Sequence, residues 1–142
     1  MRDLTIILGA LADPTRLEML ALLLRHDELC VCDFVGTLGI SQSKASRHLR
    51  YLWNARLLDD RRSGLWVYYR IAEELDADRA ILVKAIGKVF EGRDLSELER
   101  KHAAWLKRKG KSMACAVPAA KAKPSQELRK LNGPRAAAEA RR

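Results

Sequence analysis

The fold of this chain is decided by residues 41–50, which read Ser41-Gln42-Ser43-Lys44-Ala45-Ser46-Arg47-His48-Leu49-Arg50. Ser41 is a favourable N-cap, and the spacing of Ala45, Leu49 and Leu52 places apolar side chains on one face of a helix running to about residue 55. A shorter helix is predicted before it, over residues 31–38, and Gly39 ends that helix. Two helices joined by about three residues are typical of a helix-turn-helix.

The flanking segments complete a small, mainly helical domain. A helical face at residues 4–11 is followed by Asp13-Pro14, an N-cap with proline in the first helical position. After the helix-turn-helix, β-prone runs at 57–60 and 65–71 are separated by Arg61-Arg62-Ser63-Gly64, which predicts a β-hairpin, or wing, with a basic tip. Residues 78–91 return to helix with a broad apolar face, which fits a dimer contact or a core contact. Ser96 and Glu99 suggest a capping box for one more helix, to about Lys107.

We therefore expect a mainly α fold with a small β-hairpin, a winged helix-turn-helix. Residues 1–95 would form the DNA-binding and dimerisation domain, 96–110 an additional helix, and 111–142 a basic, mostly disordered tail. The longest apolar run has six residues, from Met19 to Leu24, which is too short to span a membrane. We expect no signal peptide, and three cysteines, an odd number, are not expected to make a disulfide framework. These features favour a cytoplasmic protein.

The positive charge has two sources. The chain carries 27 Lys and Arg against 18 Asp and Glu, a net charge of +9. Residues 1–99 hold 14 basic and 16 acidic side chains, whereas residues 100–142 hold 13 and 2. Within the first part, residues 44–70 hold seven basic and two acidic side chains. This smaller cluster coincides with the helix-turn-helix and the wing, where basic side chains would meet a polyanion.

Short polar and basic side chains on an exposed helix face are what major-groove reading requires. A solvated helix face or an ordinary basic turn would explain each segment alone, but their order favours double-stranded DNA as the partner. His48 either contacts DNA or, as we favour, forms a hydrogen bond to a neighbouring helix. The candidate DNA-binding residues are Gln42, Ser43, Lys44, Ser46, Arg47, His48 and Arg50 on the helix, and Arg61 and Arg62 at the tip of the wing.

Four stretches, at residues 12–17, 28–33, 41–49 and 64–70, resemble the ArsR/SmtB family of winged-helix metalloregulators, in the family's order. The resemblance covers roughly residues 4–92. It implies a homodimeric repressor that binds an inverted-repeat operator and is released when a toxic metal or metalloid binds. It also implies a dimer interface built from the first and last core helices, here the faces at 4–11 and 81–90.

Cys30-Val31-Cys32 is the candidate metal or metalloid site, since thiolates are soft ligands for thiophilic ions. Residues two apart in a helix point about 200° from each other. Both sulfurs can therefore bind one ion only if the start of the helix is extended or distorted. Such a distortion would be passed to the recognition helix, the second helix of the helix-turn-helix, which begins after Ser41. The run Glu28 to Asp33 resembles family members that sense arsenite and antimonite, or cadmium and lead. This implies As(III) or Sb(III) as the inducer, with no permanent cofactor.

In the arsenite sensors that this sequence resembles, a third cysteine often follows shortly after the pair, but Phe34-Val35-Gly36 occupies that place here. Cys115, from either subunit, is a candidate third ligand. A small-molecule thiol, or an organic arsenical that needs only two thiols, is the alternative. Cadmium or lead sensing is less supported, because residues 1–29 contain no cysteine, and the zinc-sensor histidine is absent from residues 78–92.

Three other function classes remain as alternatives. A repressor of the same fold could respond to oxidation or persulfidation of Cys30, Cys32 or Cys115. A ligand-free architectural DNA-binding protein would make no use of the thiols. An enzyme is disfavoured, because no Cys/His/Asp arrangement, phosphate loop or metallohydrolase helix accompanies them.

Overall fold

The computed structural model describes residues 1–111, so the predicted tail and Cys115 lie outside the described residues. Within this range the chain forms six helices and a three-stranded sheet. In chain order these are α1 (Arg2–Leu11), α2 (Pro14–Arg25), β1 (Leu29–Cys30), α3 (Val31–Leu38), α4 (Gln42–Asn54), β2 (Leu58–Ser63), β3 (Trp66–Ile71), α5 (Ala77–Glu91) and α6 (Ser96–Lys111).

The predicted helix-turn-helix is confirmed in α3 and α4. Gly39 adopts the left-handed conformation, with φ of +64°, and ends α3. The Ser41 hydroxyl accepts a hydrogen bond from the Lys44 backbone N–H at 3.2 Å and thereby caps α4. The apolar face predicted for this helix is fully buried, at Ala45, Leu49 and Leu52. The opposite face of α4 is therefore left to solvent.

The wing differs from its predicted form. In the antiparallel pairing of β2 with β3, Arg61 lies opposite Tyr68 and Arg62 opposite Val67. The turn consists only of Gly64 and Leu65, with Gly64 at φ of +60°. The expectation that Arg61 and Arg62 form the tip was wrong, because β2 continues past them and the left-handed glycine closes a shorter turn.

A third strand, β1, was not predicted. It has two residues and pairs with β3, with Leu29 opposite Tyr69 and Cys30 opposite Tyr68. Two residues are too few to show a period-2 pattern, so the sequence carried no signal for this strand. Its consequence is that Cys30 has extended backbone geometry immediately before α3 begins.

Two buried arginines connect the helices. The guanidinium of Arg16 donates to the carbonyl oxygens of Ala10 and Gly9, at 2.5 and 3.0 Å, and so satisfies the exposed carboxyl end of α1. Arg79 donates to the carbonyl oxygen of Ala55 at 2.6 Å and pairs with Asp3 at 2.9 Å. These contacts fix α1, α4 and α5 around one hydrophobic core.

Of the two helices predicted to form a dimer interface, α1 buries Ile7 and Leu11 in the core of the single chain, but both α1 and α5 keep accessible apolar side chains. Ile6 and Leu8 of α1 are 49% and 48% exposed, and Ile81 and Val89 of α5 are 65% and 53% exposed. Among residues 1–111 there is no helix whose length and apolar character suit it to cross a bilayer.

Helix α6 packs on α3 and continues to Lys111, beyond the end predicted near Lys107. His102 of α6 is buried, and its Nδ1 lies 2.9 Å from the Thr37 hydroxyl of α3. The Glu99 carboxylate lies 3.1 Å from His26 Nε2, at the end of α2. The first N–H of the helix, that of Ser96, is donated to Asp94. Polar contacts therefore attach α6 to two helices of the preceding domain.

Candidate functional site

The exposed face of α4 forms one polar and basic surface. Because the apolar face is buried, the opposite side chains all point to solvent: Gln42, Ser43, Lys44, Ser46, Arg47 and Arg50 are exposed. The surface has the composition and size of a helix face that enters a major groove.

His48 does not belong to this surface. Its side chain is 16% exposed, and its Nδ1 lies 3.4 Å from an Arg16 guanidinium nitrogen and 3.6 Å from the Asp13 carboxylate. Burial lowers the pKa of His48, while the Asp13 carboxylate opposes that shift. The ring thus connects α4 to the start of α2, which is the interhelical contact that the sequence analysis favoured over DNA contact.

The two wing arginines have different surroundings. Arg61 forms a bidentate ion pair with Glu28, and its guanidinium also stacks over the Tyr68 ring at 4.7 Å. The hydrogen bonds that Arg61 donates to the Glu28 carboxylate raise the pKa of Arg61. Arg62, by contrast, is exposed. Of the two, Arg62 is therefore placed to reach a ligand outside the protein, whereas Arg61 stabilises the attachment of the wing.

The two cysteines meet at the start of α3. Cys30 is the N-cap, with extended φ and ψ of −80° and 163°, and Cys32 lies in the first helical turn. This is the extended helix start that the sequence analysis required for a shared ligand. The two sulfurs are joined as a disulfide. The cysteines were expected to make no disulfide framework, and their oxidation was named only as an alternative function.

An acidic side chain next to the pair was missed from the sequence. Asp33 is buried, and its carboxylate accepts hydrogen bonds from the Cys30 backbone N–H and the Trp105 indole N–H, both at 2.9 Å. It also pairs with the Lys109 ammonium at 2.8 Å, and this ammonium lies 3.6 Å from Cys30 Sγ. An acidic residue three positions after an N-cap commonly accepts the N-cap N–H, so the sequence did carry a local signal for Asp33. Its partners in α6, Trp105 and Lys109, lie more than 70 residues away, and no local pattern identifies them.

The arrangement suits a soft ion once the disulfide is reduced. One ligand atom from each of Cys30, Cys32 and Asp33 lies within 4.8 Å of the others. The Asp33 oxygens already accept three hydrogen bonds, so the two sulfurs are the natural ligands. The Lys109 ammonium would stabilise a thiolate at Cys30 by charge. A centre with two thiolates favours thiophilic ions over Mg²⁺ or Ca²⁺.

A cavity of about 420 Å³ connects the cysteine site with the exposed face of α4. Its lining residues come from α3, α4, the wing and α6, and they include Cys32 and all three tryptophans of the chain, Trp53, Trp66 and Trp105. Gln42, Ser46, Arg50 and Arg62 line it as well. The sequence predicted none of these contacts, because they join residues from four separate elements.

Residues 13–60, from the N-cap of α2 into β2, match the family described as "Bacterial regulatory protein, arsR family". The arsenic resistance transcriptional regulator ArsR1 of Pseudomonas putida is 50% identical over 70 residues, which cover 49% of this chain and 55% of that protein. The arsenical resistance operon repressor of Escherichia coli is 47% identical over 73 residues, 51% of this chain and 62% of that one.

A solved structure extends the similarity to the whole winged domain. The homodimeric winged helix-turn-helix DNA-binding domain from Mycobacterium bovis, described as a possible ArsR-family transcriptional regulator, superimposes with a TM-score of 0.54. The two chains are 31% identical, and the match covers 63% of this chain and 80% of that one. The chain spans only 55% and 62% of the two curated relatives above. The family match, these identities and the shared winged helix-turn-helix show that the chain belongs to the arsR family of bacterial regulatory proteins.

Proposed function

We propose that this protein is a homodimeric transcriptional repressor that binds an inverted-repeat operator and is released when trivalent arsenic or antimony binds to Cys30 and Cys32. The observation that carries the proposal is the position of the cysteine pair at the first turn of α3. The other end of α3 is joined to the exposed, basic helix α4 by Gly39, Ile40 and Ser41 alone. A change at the sulfurs is thus one short helix away from the DNA-reading surface.

The DNA side of the proposal rests on the exposed face of α4 and on Arg62. We propose that Gln42, Ser43, Ser46, Arg47 and Arg50 contact bases or phosphates from the major groove, with Lys44 and Arg62 on the flanking phosphates. His48 and Arg61 act indirectly, through their contacts with Arg16 and Glu28. Two-fold symmetry would place the half-sites about one helical turn apart, or a multiple of that.

Release by the inducer is a thiol reaction. The disulfide is first reduced by a cellular thiol, and each sulfur then replaces a hydroxide of arsenous acid, with loss of water. Binding of arsenic to both Cys30 and Cys32 would change the start of α3, because Cys30 is also held by the pairing of β1 with β3 and by its backbone N–H, which donates to Asp33. Because α3 is joined to α4 by three residues, this change would shift α4 and so weaken its contact with DNA.

Inorganic trivalent arsenic forms three bonds, and Cys115 is the proposed third thiol. Cys115 lies six positions after Lys109, whose ammonium is 3.6 Å from Cys30 Sγ. Six residues span at most about 20 Å. Since α6 brings Lys109 to the cysteine pair, six positions along the chain separate Cys115 from a residue of the described site.

The test is a fluorescence-anisotropy titration of a labelled inverted-repeat DNA with the reduced full chain. Arsenite, antimonite, cadmium, lead and zinc are then added separately. We expect arsenite and antimonite to release the DNA, and the variant Cys30→Ser/Cys32→Ser to remain bound. Cys115→Ser should require more arsenite if it supplies the third thiol. Equal DNA affinity with and without arsenite and antimonite would refute the inducer.

A second candidate function is favoured by the disulfide itself. Cys30 and Cys32 form it at the same helix start, so oxidation of the two thiols, with two electrons passing to a peroxide or a disulfide, could control DNA affinity in place of a metalloid. DNA release by mild peroxide, reversed by a phosphine and absent for Cys30→Ser, would favour this function. Unchanged DNA affinity after complete oxidation, measured by mass spectrometry, would exclude it.

A further inference from the structure

We propose that the cavity beside Cys32 is a binding site for the aromatic ring of an aryl-substituted trivalent arsenical, whose arsenic is held by Cys30 and Cys32. The inference rests on the proposed function, in that the cysteine pair is taken to bind trivalent arsenic. It adds the chemical class of the ligand. The observation behind it is that every tryptophan of the chain lines this one cavity.

The number of thiols favours an organic substituent. Within residues 1–111 the site offers two sulfurs, Cys30 and Cys32. An arsenic atom that carries one carbon substituent has two exchangeable positions, so two thiolates complete its three bonds. The neighbouring carboxylate of Asp33 is occupied by the Lys109 ammonium and two N–H donors, which removes the nearest competitor for a third bond.

The cavity has the chemistry that an aryl group needs. The aromatic lining comes from three elements. Trp53 belongs to α4, Trp66 and Tyr69 belong to β3 of the wing, and Trp105 belongs to α6. Burial raises the pKa of the Tyr69 hydroxyl, so it stays neutral. Aromatic side chains bind aromatic rings by edge-to-face and offset-stacked contacts. A volume of about 420 Å³ lies within the usual range for small-molecule sites.

The reaction balances without a change in oxidation state. Two equivalents of a cellular thiol first reduce the protein disulfide and are themselves joined as a disulfide. The hydrated arsenical RAs(OH)₂ then reacts with the two protein thiols. Two As–O bonds break, two As–S bonds form, and the thiol protons leave with the hydroxides as two waters. The arsenic remains trivalent, and its R group is directed from Cys32 into the cavity that this residue lines.

Occupancy of the cavity would also reach the DNA-reading surface directly. Gln42, Ser46 and Arg50 line the cavity and belong to the exposed face of α4. A ring in the cavity would contact these side chains, so an aryl arsenical should release DNA at a lower concentration than a methyl arsenical.

The test compares phenylarsine oxide with methylarsonous acid. The full chain is reduced with a phosphine, the phosphine is removed, and each arsenical is titrated while tryptophan fluorescence and DNA anisotropy are recorded. A peptide of residues 28–33 supplies the same two thiols without a cavity and gives the reference ratio of the two affinities. We expect the protein to prefer the phenyl compound over the methyl compound by roughly tenfold or more beyond this reference ratio.

Trp66→Ala is the decisive variant, and Tyr51→Ala is its control. Trp66 lines the cavity but is not part of the hydrophobic core, whereas Tyr51 is an aromatic residue of α4 that is 61% exposed and does not line the cavity. Trp66→Ala should bring the phenyl preference close to that of the peptide, and Tyr51→Ala should retain it. Trp66→Leu, which keeps an apolar side chain, is the second variant should the first fold poorly.

The outcomes separate the two proposals. A phenyl preference equal to that of the peptide, or unchanged by both Trp66 variants, overturns the cavity assignment while release by arsenite leaves the proposed function standing. Tight binding of the phenyl compound to Cys30→Ser/Cys32→Ser also overturns it, because the ring would then bind without the thiols. Failure of arsenite, antimonite and both organic arsenicals to release DNA counts against the proposed function itself.

Discussion

The attachment of α6 to α3 can be tested by adding one methyl group. A Cβ built on Gly36 would lie 2.1 and 2.2 Å from the Cδ2 and Cε3 atoms of Trp105. Non-bonded carbons are best separated by about 3.5–4.0 Å. In Gly36→Ala the indole must therefore move by more than about 1 Å, although its N–H is held by the Asp33 carboxylate at 2.9 Å.

The expected magnitude follows from two opposing effects. Overpacking of this kind costs about 1–3 kcal/mol, while alanine in place of glycine within a helix contributes about 0.5–1 kcal/mol of stability. We expect Gly36→Ala to lower the free energy of unfolding by about 1–2 kcal/mol. We also expect faster amide hydrogen exchange along α6, because the indole and the contacts of His102 and Lys109 belong to the same face.

Denaturant unfolding at a fixed protomer concentration, together with hydrogen exchange, measures both effects. Gly110→Ala is the matched control, since it makes the same change in α6 where no atom lies within 4 Å of the new Cβ. In a Trp105→Ala background the cost of Gly36→Ala should disappear, because the clashing ring is gone. The reasoning is refuted if Gly36→Ala leaves both stability and α6 exchange unchanged, or if its cost persists without Trp105.

Three further predictions follow from the described contacts. Arg79→Ala should lower the free energy of unfolding by about 1–3 kcal/mol, measured by urea denaturation, because it leaves the buried Ala55 carbonyl oxygen without its donor. Burial, and then the charge of the neighbouring His26, lower the pKa of His102 from 6.5. The contribution of neutral His102 to the free energy of unfolding is therefore fully present above pH 6.5 and should be lost as the pH falls below it, so the urea midpoint should be lower at pH 5.5 than at pH 7.5. His102→Gln should reduce this difference between the two midpoints. Arg62→Ala should weaken DNA binding and reduce the dependence of affinity on salt, because it removes a proposed phosphate contact; anisotropy at several salt concentrations measures both. Arg61→Ala should instead lower the melting temperature, since Arg61 is paired with Glu28.

The helices were predictable to within a few residues because their signals are local. The Asp13 and Ser41 caps, Gly39 in the left-handed region and the apolar period of α4 all act within one or two helical turns. The wing was less predictable. Its register depends on pairing between β2 and β3, and the left-handed conformation of Gly64 moved the turn beyond the two arginines.

The candidate site was predictable in part. Cys30 and Cys32 were predicted to act together, and the structure brings their sulfurs into one bond. The exposed polar face of α4 agrees with the predicted pattern. The position of His48 against Arg16 and Asp13 depended on the packing of α2 on α4. A helical period specifies that a residue lies on a given face, but it does not specify which other helix that face contacts.

The sequence by itself determined the helix-turn-helix, the two-cysteine motif and the location of the basic cluster, because capping, helical period and charge are properties of neighbouring residues. Only the tertiary structure decided what surrounds the thiols. Trp105 and Lys109 contact Asp33 from 72 and 76 positions along the chain, and the Lys109 ammonium also lies 3.6 Å from Cys30 Sγ. They meet because the buried face of α6 packs on α3, and this non-local packing also brings the three tryptophans into one cavity.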